Sequence, residues 1–470
     1  METPTQLLHR LTSYEPGRDL DAAIDDPRIV QDLETNDLTR LPWFYKRYAP
    51  QTPRIALPRD LPSTTTSAVA VLAGNAEGRE LDLPQLARIL HLSAGVVRTS
   101  QRKYGTHLFR ASGSAGGRFP LELYVVVPEG SQLPPGVHWY DPEAHALLQI
   151  GPPPRAGEVS IVVTGVPWRT GWRYRERGYR HVYWDAGTML AQLMAAAGDP
   201  AALYTRFPDE AVTALVGADG VHEWPVAVVS LGDGPPALAA TGPATPGAVD
   251  LDPLEFPLET AAQRAGDRDE LGLPWPPGAP VDVKDDGDSV DTVALARGSQ
   301  RLMDPTRGLS RSVLETSMRV ALRGIDLPHF IAVHDVEGVA PGVYRWPDLA
   351  NPIHAGDQRE ELYRVCLDQG LGRDAAFVVI TTADVSTLDD RQYRDAQLAG
   401  GLVEGRLHLL AYALGASASG MTFLDSEIPA LLGEPLDAII FTCVGVPEYR
   451  STAGGPPGAP ADVRMMQPRL

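Results

Sequence analysis

One pattern occurs twice in this chain, and the repeat restricts the possible folds more than any other feature. Residues 207–217, FPDEAVTALVG, keep the same spacing of phenylalanine, aspartate, a β-branched residue, alanine, leucine and glycine as residues 423–433, FLDSEIPALLG. Each copy follows an apolar helix pattern, GTMLAQLMAAAG or GRLHLLAYALG, and precedes a strand pattern, PVAVVSLG or DAIIFTCVGVP. This common order predicts a duplicated α+β unit. Two such units in one chain predict a pseudo-twofold dimer, in which an interface site takes residues from both halves.

The same patterns predict how the chain is divided. We expect a helical N-terminal segment (residues 1–60), a first α+β domain (61–232), a connector rich in proline and glycine (233–290), a second α+β domain (291–450) and a C-terminal tail (451–470). The length of 470 residues agrees with more than one domain, because single hydrophobic cores rarely grow beyond about 300 residues.

The composition argues against several classes of function. The net charge of −19 argues against nucleic acid as a partner, since a polyanion would be repelled. No apolar run approaches the roughly 20 residues of a membrane-spanning helix, and the N-terminus lacks a signal-peptide pattern. Cys366 and Cys443 lie in apolar stretches, so we expect buried thiols in a cytoplasmic protein rather than a disulfide. No histidine or cysteine cluster has the spacing of metal ligands, so no metal is expected.

A run of small residues precedes a strand pattern in the first half. The stretch RASGSAGGRF leads directly into LELYVVV. So many small residues before a strand indicate that a flat or anionic group approaches the backbone closely. The candidate binding residues of this stretch are Arg110, Ser112, Ser114, Ala115, Gly116 and Gly117.

The second half carries a different pattern that suits an anion. In ARGSQRLMDP the side chains of Arg297, Ser299 and Arg301 alternate, so on an extended segment all three can point at one ligand. Arginine forks suit phosphate and polarised carbonyl groups. On its own the pattern is short, and it fits a solvated loop equally well.

A second run of small residues, GASASGMTF, follows the apolar helix of the second half. Its amides could face a ligand, or its first glycine could simply end the helix as a C-cap. The first half lacks both this run and an Arg-x-Ser-x-Arg pattern, whereas the second half lacks the Ser-Ala-Gly run. The halves therefore keep complementary parts of one composite site. The candidate binding residues of this run are Ser417, Ala418, Ser419 and Gly420.

The duplicated unit resembles the FMN-dependent nitroreductase superfamily, and within it the azoline dehydrogenase (SagB-type) branch. The resemblance rests on RASGSAGGRFPLELYVVV with the following LPPGVHWYDPEAHALLQI, and on VPWRTGWRYRERGYRHVYWDAGTML. ARGSQRLMDP and GRLHLLAYALGASASGMTFLDSEIPALLG are similar to the flavin-binding elements of the superfamily. Together these stretches extend over roughly residues 80–232 and 290–450.

The resemblance implies two nitroreductase-like domains, each with a mixed or antiparallel central sheet flanked by helices, in an intramolecular pseudo-dimer with FMN at its interface. The run 110–117 would lie against the flavin, and the arginine pattern 297–301 would hold the phosphate and one ring edge. Amides around Ser419 and Gly420 would face the other ring edge. Arg450 would add to the phosphate charge, or would be an ordinary surface arginine.

The Lys-Tyr pair of the branch corresponds here to Arg173 and Tyr174. Arginine stays protonated and cannot serve as a base. The resemblance therefore implies that Tyr174 is the acid/base group, with Arg173 lowering its pKa or anchoring the substrate. Tyr174 could instead be a packing aromatic, and we expect the nearby Arg177 and Arg180 to be solvated.

The function implied by the resemblance is an FMN-dependent dehydrogenase that oxidises thiazoline or oxazoline rings of a ribosomally made peptide, as in antibiotic biosynthesis. Its implied partners are the azoline-containing precursor peptide and the cyclodehydratase that makes the rings, and the pseudo-dimer could pair further into a homodimer. Two alternatives stay open. One is an NAD(P)H-dependent nitro or quinone reductase, and the other is a non-catalytic member whose degenerate half docks a leader peptide or a partner enzyme.

Overall fold

The structure is a computed structural model that describes residues 2–16, 26–76, 78–464 and 466. The helices are α1 (Pro4–Leu11), α2 (Ala68–Leu72), α3 (Leu83–Ala94), α4 (Pro167–Tyr174), α5 (Gly178–Ala197), α6 (Asp209–Leu215), α7 (Pro257–Ala265), α8 (Val290–Ala296), α9 (Arg311–Ala321), α10 (Arg359–Val365), α11 (Gly370–Asp374), α12 (Asp390–Ala413) and α13 (Ile428–Leu432). The strands are β1 (Arg54–Ala56), β2 (Val96–Arg102), β3 (Gly105–Arg110), β4 (Leu121–Val127), β5 (Gly136–Asp141), β6 (Ala146–Gly151), β7 (Ser160–Gly165), β8 (Ala202–Tyr204), β9 (Trp224–Ser230), β10 (His329–Val333), β11 (Gly342–Arg345), β12 (His354–Ala355), β13 (Phe377–Ala383), β14 (Ser417–Met421), β15 (Asp437–Gly445) and β16 (Ala461–Asp462).

The two halves contain sheets of the same topology. The first sheet has the order β1-β6-β5-β4-β7-β9-β8, and the second has the order β12-β11-β10-β13-β15-β14. Apart from β1, corresponding strands take corresponding places, and neighbouring strands are antiparallel in both sheets. The predicted α+β fold, with two similar domains in an intramolecular pseudo-dimer, is confirmed.

The long helices α5 and α12 pack against each other and join the halves. Glycines allow their backbones to touch where the helices meet, because a Cβ at Gly187 would overlap the backbone of Leu398 and Gly401. A Cβ at Gly405 would likewise overlap the backbone of Thr188. The largest hydrophobic core contains buried residues of both helices and of both sheets. The halves therefore share one core and are not two separate bodies.

Local signals fix where the key helices begin. Asp389 precedes α12, its carboxylate accepts hydrogen bonds from first-turn amides, and Gln392 completes the capping box. Ser289 precedes α8 and its hydroxyl accepts from the amide of Thr292. The short helix α8 then ends at its C-cap Arg297, which places the arginine pattern directly after a fixed helix end.

The N-terminal segment differs from its prediction. Within the described part of residues 1–60, α1 is followed by irregular chain, a 3-10 turn at Leu38–Arg40 and strand β1. Strand β1 pairs with β6 and extends the first sheet. The prolines on both sides of the aromatic cluster 43–48 disfavour a continuous helix there. Residues 17–25 of this segment lie outside the described residues.

A small third sheet brings the C-terminal tail back to the first half. Strands β2 and β3 form an antiparallel hairpin, and β16 of the tail pairs with β2 in parallel. The amide of Val463 then donates to the carbonyl of Thr99 at 2.8 Å. Residues 461–463 of the tail therefore lie beside the first domain.

The connector packs against both halves. Its helix α7 buries Leu258 and Ala262 in the shared core. Farther along, the indole of Trp275 donates to the carbonyl of Gly324 at 3.0 Å.

The described part of the chain contains no helix with the length and apolar character needed to cross a membrane. Both cysteines are buried and free, as predicted.

Candidate functional site

A cavity of about 420 Å³ lies between the halves. The loop after β3 bounds one side, the segment after α8 bounds another, and the C-terminal tail contributes a third. No aspartate or glutamate belongs to its lining among the residues that the structure describes. The cavity is therefore strongly cationic and suits an anion. Its six arginines are Arg98, Arg110, Arg297, Arg301, Arg450 and Arg464.

The cavity brings together half of the residues singled out from the sequence. Those that line it are Arg110, Ser112, Ser114, Gly117, Arg297, Ser299, Arg301 and Arg450. Those that lie outside its lining are Ala115, Gly116, Arg173, Tyr174, Ser417, Ala418, Ser419 and Gly420.

Arg297 is the buried cation of the cavity. Its side chain belongs to a residue only 3% exposed, and its Nη2 donates to the carbonyl of Ala111 in the first half at 2.7 Å. Its Nε has no hydrogen-bond partner among the described residues. Burial, with Arg98 nearby, lowers the pKa of Arg297 to about 10, so the guanidinium stays charged at neutral pH. A buried guanidinium with an unpaired N–H group can donate a hydrogen bond to a ligand.

Arg110 lines the cavity, but its guanidinium is already paired with groups of the protein. Its Nη1 donates to the carbonyl of Leu121 at 2.5 Å and its Nη2 to the carbonyl of Phe44 at 2.8 Å. The carboxylate of Glu122 lies 3.9 Å away. Arg110 therefore shapes the cavity wall and ties the N-terminal segment to strand β4.

The small-residue loop is held from below by helix α5. The hydroxyl of Ser114 donates to Oδ2 of Asp185 at 2.5 Å, and the amide of Ala115 donates to Oδ1 at 2.8 Å. The same hydroxyl accepts from the amide of Phe119 at 2.7 Å. Ser114 is consequently a structural clamp of the loop, and its oxygen is already engaged.

Arg173 and Tyr174 pack against the outer side of this loop. Gly116 has φ of 60°, and a Cβ there would lie 2.7 Å from Cδ of Arg173 and 3.0 Å from Oη of Tyr174. The ring of Tyr174 stacks on His181, with centroids 4.1 Å apart. Arg173 is exposed and donates to Oδ1 of Asn36 at 3.1 Å. Glycine is thus required where the loop and this pair meet.

The run 417–420 is a strand, which its small residues did not predict. It forms β14, the edge strand of the second sheet, with register Ser417 to Gly445 and Gly420 to Thr442 on β15. The long-range ladder with β15 overrides the local turn signal. The outer edge of β14 nevertheless faces the arginine segment, because the amide of Gln300 donates to the carbonyl of Ala418 at 3.1 Å. Gly420, two residues on, presents its backbone to the same side.

Arg177 and Arg180 also differ from their prediction as solvated side chains. Both are buried and both pair with Asp425, at 2.8 and 2.6 Å. The two guanidinium groups hold the pKa of Asp425 well below its usual range despite its burial. Asp425 is the aspartate of the second copy of the repeat, so this network joins the two halves.

Comparisons with known proteins agree with this architecture. No protein-family model and no curated protein matches the chain. The crystal structure of a protein from Anabaena variabilis named as a nitroreductase aligns with a TM-score of 0.72 and 22% identity, over 95% of this chain and 100% of that one. This chain has the nitroreductase fold.

Other similar structures match only part of the chain. One, named as a nitroreductase from Ralstonia eutropha, covers 40% of this chain and 92% of its own length, with 19% identity and a TM-score of 0.30. Another, from Exiguobacterium sibiricum and named as a nitroreductase in complex with FMN, covers 34% and 90%, with 13% identity and a TM-score of 0.26. The assignment of the nitroreductase fold rests on the full-length alignment alone.

In this nitroreductase fold, the segment after α2 in the first half corresponds to the arginine segment of the second half. The connector packs against the end of α2. Helix α2 corresponds to α8, and their caps Ser67 and Ser289 form a β-bridge. After α2, the amide of Val281 in the connector donates to the carbonyl of Ala73 at 2.9 Å. Arg323 donates to the carbonyl of Leu72 at 2.6 Å and holds the connector as well. Among the described residues, these contacts hold the connector against the C-terminal end of α2.

The sequence patterns missed several residues of the site. Arg98 lies on β2, and Arg464 lies in a tail that long-range contacts such as the β16–β2 pairing bring to the cavity. Neither belongs to a local motif. Asp185 did carry a signal, as a lone carboxylate within the apolar stretch VYWDAGTML of α5.

Proposed function

We propose that this chain is an FMN-dependent oxidoreductase with its cofactor in the arginine-lined cavity. We further propose that it oxidises thiazoline or oxazoline rings of a ribosomally made peptide to thiazoles or oxazoles. The rings of such a peptide come from cyclodehydration of cysteine or serine side chains, so the expected partners are the precursor peptide and a cyclodehydratase.

The observation that carries the cofactor proposal is the charge of the cavity. Six arginines surround it in a chain whose net charge is −19, and the lining described by the structure holds no carboxylate. The free Nε of buried Arg297 calls for an acceptor such as a phosphate or a ring carbonyl. Phe109 and Phe119 add apolar surface that suits a flat ring. The residues present therefore fit FMN.

Bound FMN supplies a hydride acceptor. The protein groups around it divide the remaining work. Arg301 and Arg450, which are half-buried and exposed, can bind the phosphate. Arg297 keeps a fixed positive charge in a site of low dielectric, where it stabilises developing negative charge more than it would in water. The clamp between Ser114 and Asp185 holds the loop rigid beside the cavity.

Azoline oxidation also requires transfer of a proton. One proton and one hydride leave adjacent ring carbons and a C=C bond forms, and the proton is acidic because its carbon neighbours a C=N group. We propose Tyr174 as the group that exchanges this proton. Burial raises the pKa of Tyr174 above its usual value of 10, and the opposing effect of Arg173 is smaller. Tyr174 thus acts as a base to an extent that grows with pH up to and beyond 10.

The same property of Tyr174 favours a second candidate function. A tyrosine that keeps its proton at neutral pH is a ready proton donor. A reductase that takes hydride from NAD(P)H and passes it to a nitro or quinone compound needs such a donor. The two candidates therefore differ in the direction in which the Tyr174 proton moves, and pH separates them.

The test is an anaerobic visible spectrum of the FMN-reconstituted protein, with a thiazoline-bearing peptide and NAD(P)H added in separate cuvettes. We expect the peptide to bleach the flavin at a rate that increases with pH. Tyr174→Phe should slow this bleaching by about 10²–10⁴-fold. Tyr363→Phe is the matched control, because Tyr363 is also half-buried and lies under an arginine (Arg373, 4.9 Å), but it belongs to α10, whereas Tyr174 contacts Gly116 of the loop beside the cavity.

Bleaching by NAD(P)H alone, with a rate that is flat between neutral pH and pH 9, would replace the dehydrogenase by the reductase. A protein that takes up no FMN would contradict both, and would leave the non-catalytic docking function.

A further inference from the structure

A line of polar side chains leads from Arg297 into the helix pair beneath the cavity. Nη1 of Arg297 lies 3.4 Å from Nδ1 of His408 on α12. A guanidinium has only donors, so Nδ1 must accept and the imidazole proton must sit on Nε2. Burial lowers the pKa of His408, which keeps this neutral tautomer at neutral pH.

A carboxylate lies one helical turn from the imidazole, within ion-pair distance of Nε2 but not in a hydrogen bond with it. Nε2 of His408 lies 3.5 Å from Oε1 of Glu404, and the two residues are four positions apart on α12. His408 is 1% exposed, while the side chain of Glu404 is 14% exposed. A buried cation, a neutral imidazole and a carboxylate thus form one series in a region of low dielectric.

Glu404 also contacts both other parts of the composite site. Its Oε2 accepts from the hydroxyl of Thr188 on α5 at 3.3 Å, so the first half holds it in place. Its carboxylate covers Gly420 on β14 so closely that a Cβ there would overlap it. Thr188 in turn lies 3.4 Å from a Cβ built at Gly113 of the cavity lining. Glu404 is therefore at the junction of the loop, the strand β14 and the arginine segment.

We propose that His408 and Glu404 are positioning residues that orient Arg297 and set the charge it presents to the cofactor. This rests on the proposed function. His408 fixes Nη1 while Ala111 fixes Nη2, which leaves Nε free. The carboxylate of Glu404 offsets part of the positive field of Arg297, an effect that Arg98 opposes.

Glu404→Gln tests the charge with almost no change of shape. The amide oxygen can still accept from Thr188 or His408, but one negative charge is gone. The field in the cavity becomes more positive, so the dissociation constant of FMN should fall several-fold and its midpoint potential should move to more positive values. Glu315→Gln, an exposed change on α9 with the same loss of charge, is the matched control and should leave both quantities unchanged.

Two further variants separate charge from packing. Glu404→Asp retains the charge and should stay close to the wild type in both measurements. His408→Leu removes the acceptor of Nη1 of Arg297 while Glu404 keeps its charge, so the dissociation constant of FMN should rise, which keeps the proposal testable if Glu404→Gln does not fold. The measurements are titration of the apoprotein with FMN and spectroelectrochemistry of the bound flavin.

Equal values for Glu404→Gln and Glu315→Gln would overturn the proposal and leave the proposed function intact. Equal shifts in Glu404→Asp and Glu404→Gln would also overturn it, because they would show that packing and not charge is responsible. A wild-type protein that binds no FMN would overturn the proposed function and this inference together.

Discussion

Asp185 should make the protein lose stability as the pH rises, and a single substitution should remove that loss. The carboxyl group is 5% exposed and receives hydrogen bonds only from Ser114 and Ala115 among the contacts described. Burial raises the pKa of Asp185 to about 8; the two hydrogen bonds oppose this rise and Glu404 adds to it. The usual value is 3.8.

The sign and size of the pH effect on stability follow from the difference between these two pKa values. Between about pH 4 and pH 8 the folded protein keeps a proton on Asp185 that the unfolded chain releases, so the free energy of unfolding decreases as the pH rises. One bound proton is equivalent to about 1.4 kcal/mol per pH unit. From pH 5 to pH 7, Asp185 alone therefore removes roughly 2.7 kcal/mol of stability. The contribution is complete below the unfolded pKa and is lost by about pH 8.

Asp185→Asn keeps the shape and cannot titrate. Its amide oxygen can accept from Ala115 and its NH₂ can donate to Ser114, so the loop should stay in place. Urea unfolding, followed by tryptophan fluorescence at pH 5, 6 and 7, gives the free energy of unfolding of each protein. The wild type should lose about 2–3 kcal/mol more than Asp185→Asn over this range. Asp286→Asn, at an exposed position of the connector, should follow the wild type. Parallel profiles of the wild type and Asp185→Asn would refute the argument.

Three other predictions follow from the cavity and its loop. The purified protein should bind one FMN per chain, as the ratio of flavin to protein absorbance measures, because the arginine pattern and the Ser-Ala-Gly run each occur in one half only; a ratio of two would contradict this. Gly116→Ala should lower the melting temperature more than Gly130→Ala, since both have positive φ but only a Cβ at Gly116 meets Arg173, at a cost of about 1–3 kcal/mol. Arg301→Gln should raise the FMN dissociation constant by roughly 10- to 100-fold, the value of one charged hydrogen bond, whereas exposed Arg319→Gln should not; equal constants would exclude Arg301 from anion binding.

The fold was predictable because its signals are local and occur twice. The helix, motif and strand of each copy became α5, α6 and β9 in one half and α12, α13 and β15 in the other. Strand and helix periodicities depend on neighbouring residues, so a repeat of them predicts a repeat of topology. That Arg297, Ser299 and Arg301 line one cavity was predictable for a different reason, since alternation along an extended segment fixes which side chains share a direction.

The parts that the sequence could not predict depend on contacts between distant residues. The run 417–420 has the composition of a turn, but β15 offers it a complete hydrogen-bond ladder and it becomes a strand. In the sequence, Arg177 and Arg180 resemble surface arginines. In the structure they are buried in ion pairs with Asp425, which is more than two hundred positions away. The distal part of the tail is held beside the cavity by the pairing of β16 with β2, a contact between residues more than three hundred positions apart.

The two sides of the pseudo-dimer provide acceptors for their arginine side chains in different ways. In a symmetric homodimer every mutation appears in both copies of a site, whereas in a fused chain a mutation can alter one copy and leave the other unchanged. A buried guanidinium must have acceptors, because an unpaired buried charge costs several kcal/mol. Arg297 leaves a donor free for an anion in the cavity. On the other side, half-buried Arg323 directs its donors to the carbonyls of Leu72, Gly278 and Ala279, so the chain's own backbone satisfies this guanidinium. The connector therefore does more than link the halves, since it supplies acceptors for a guanidinium beside α2.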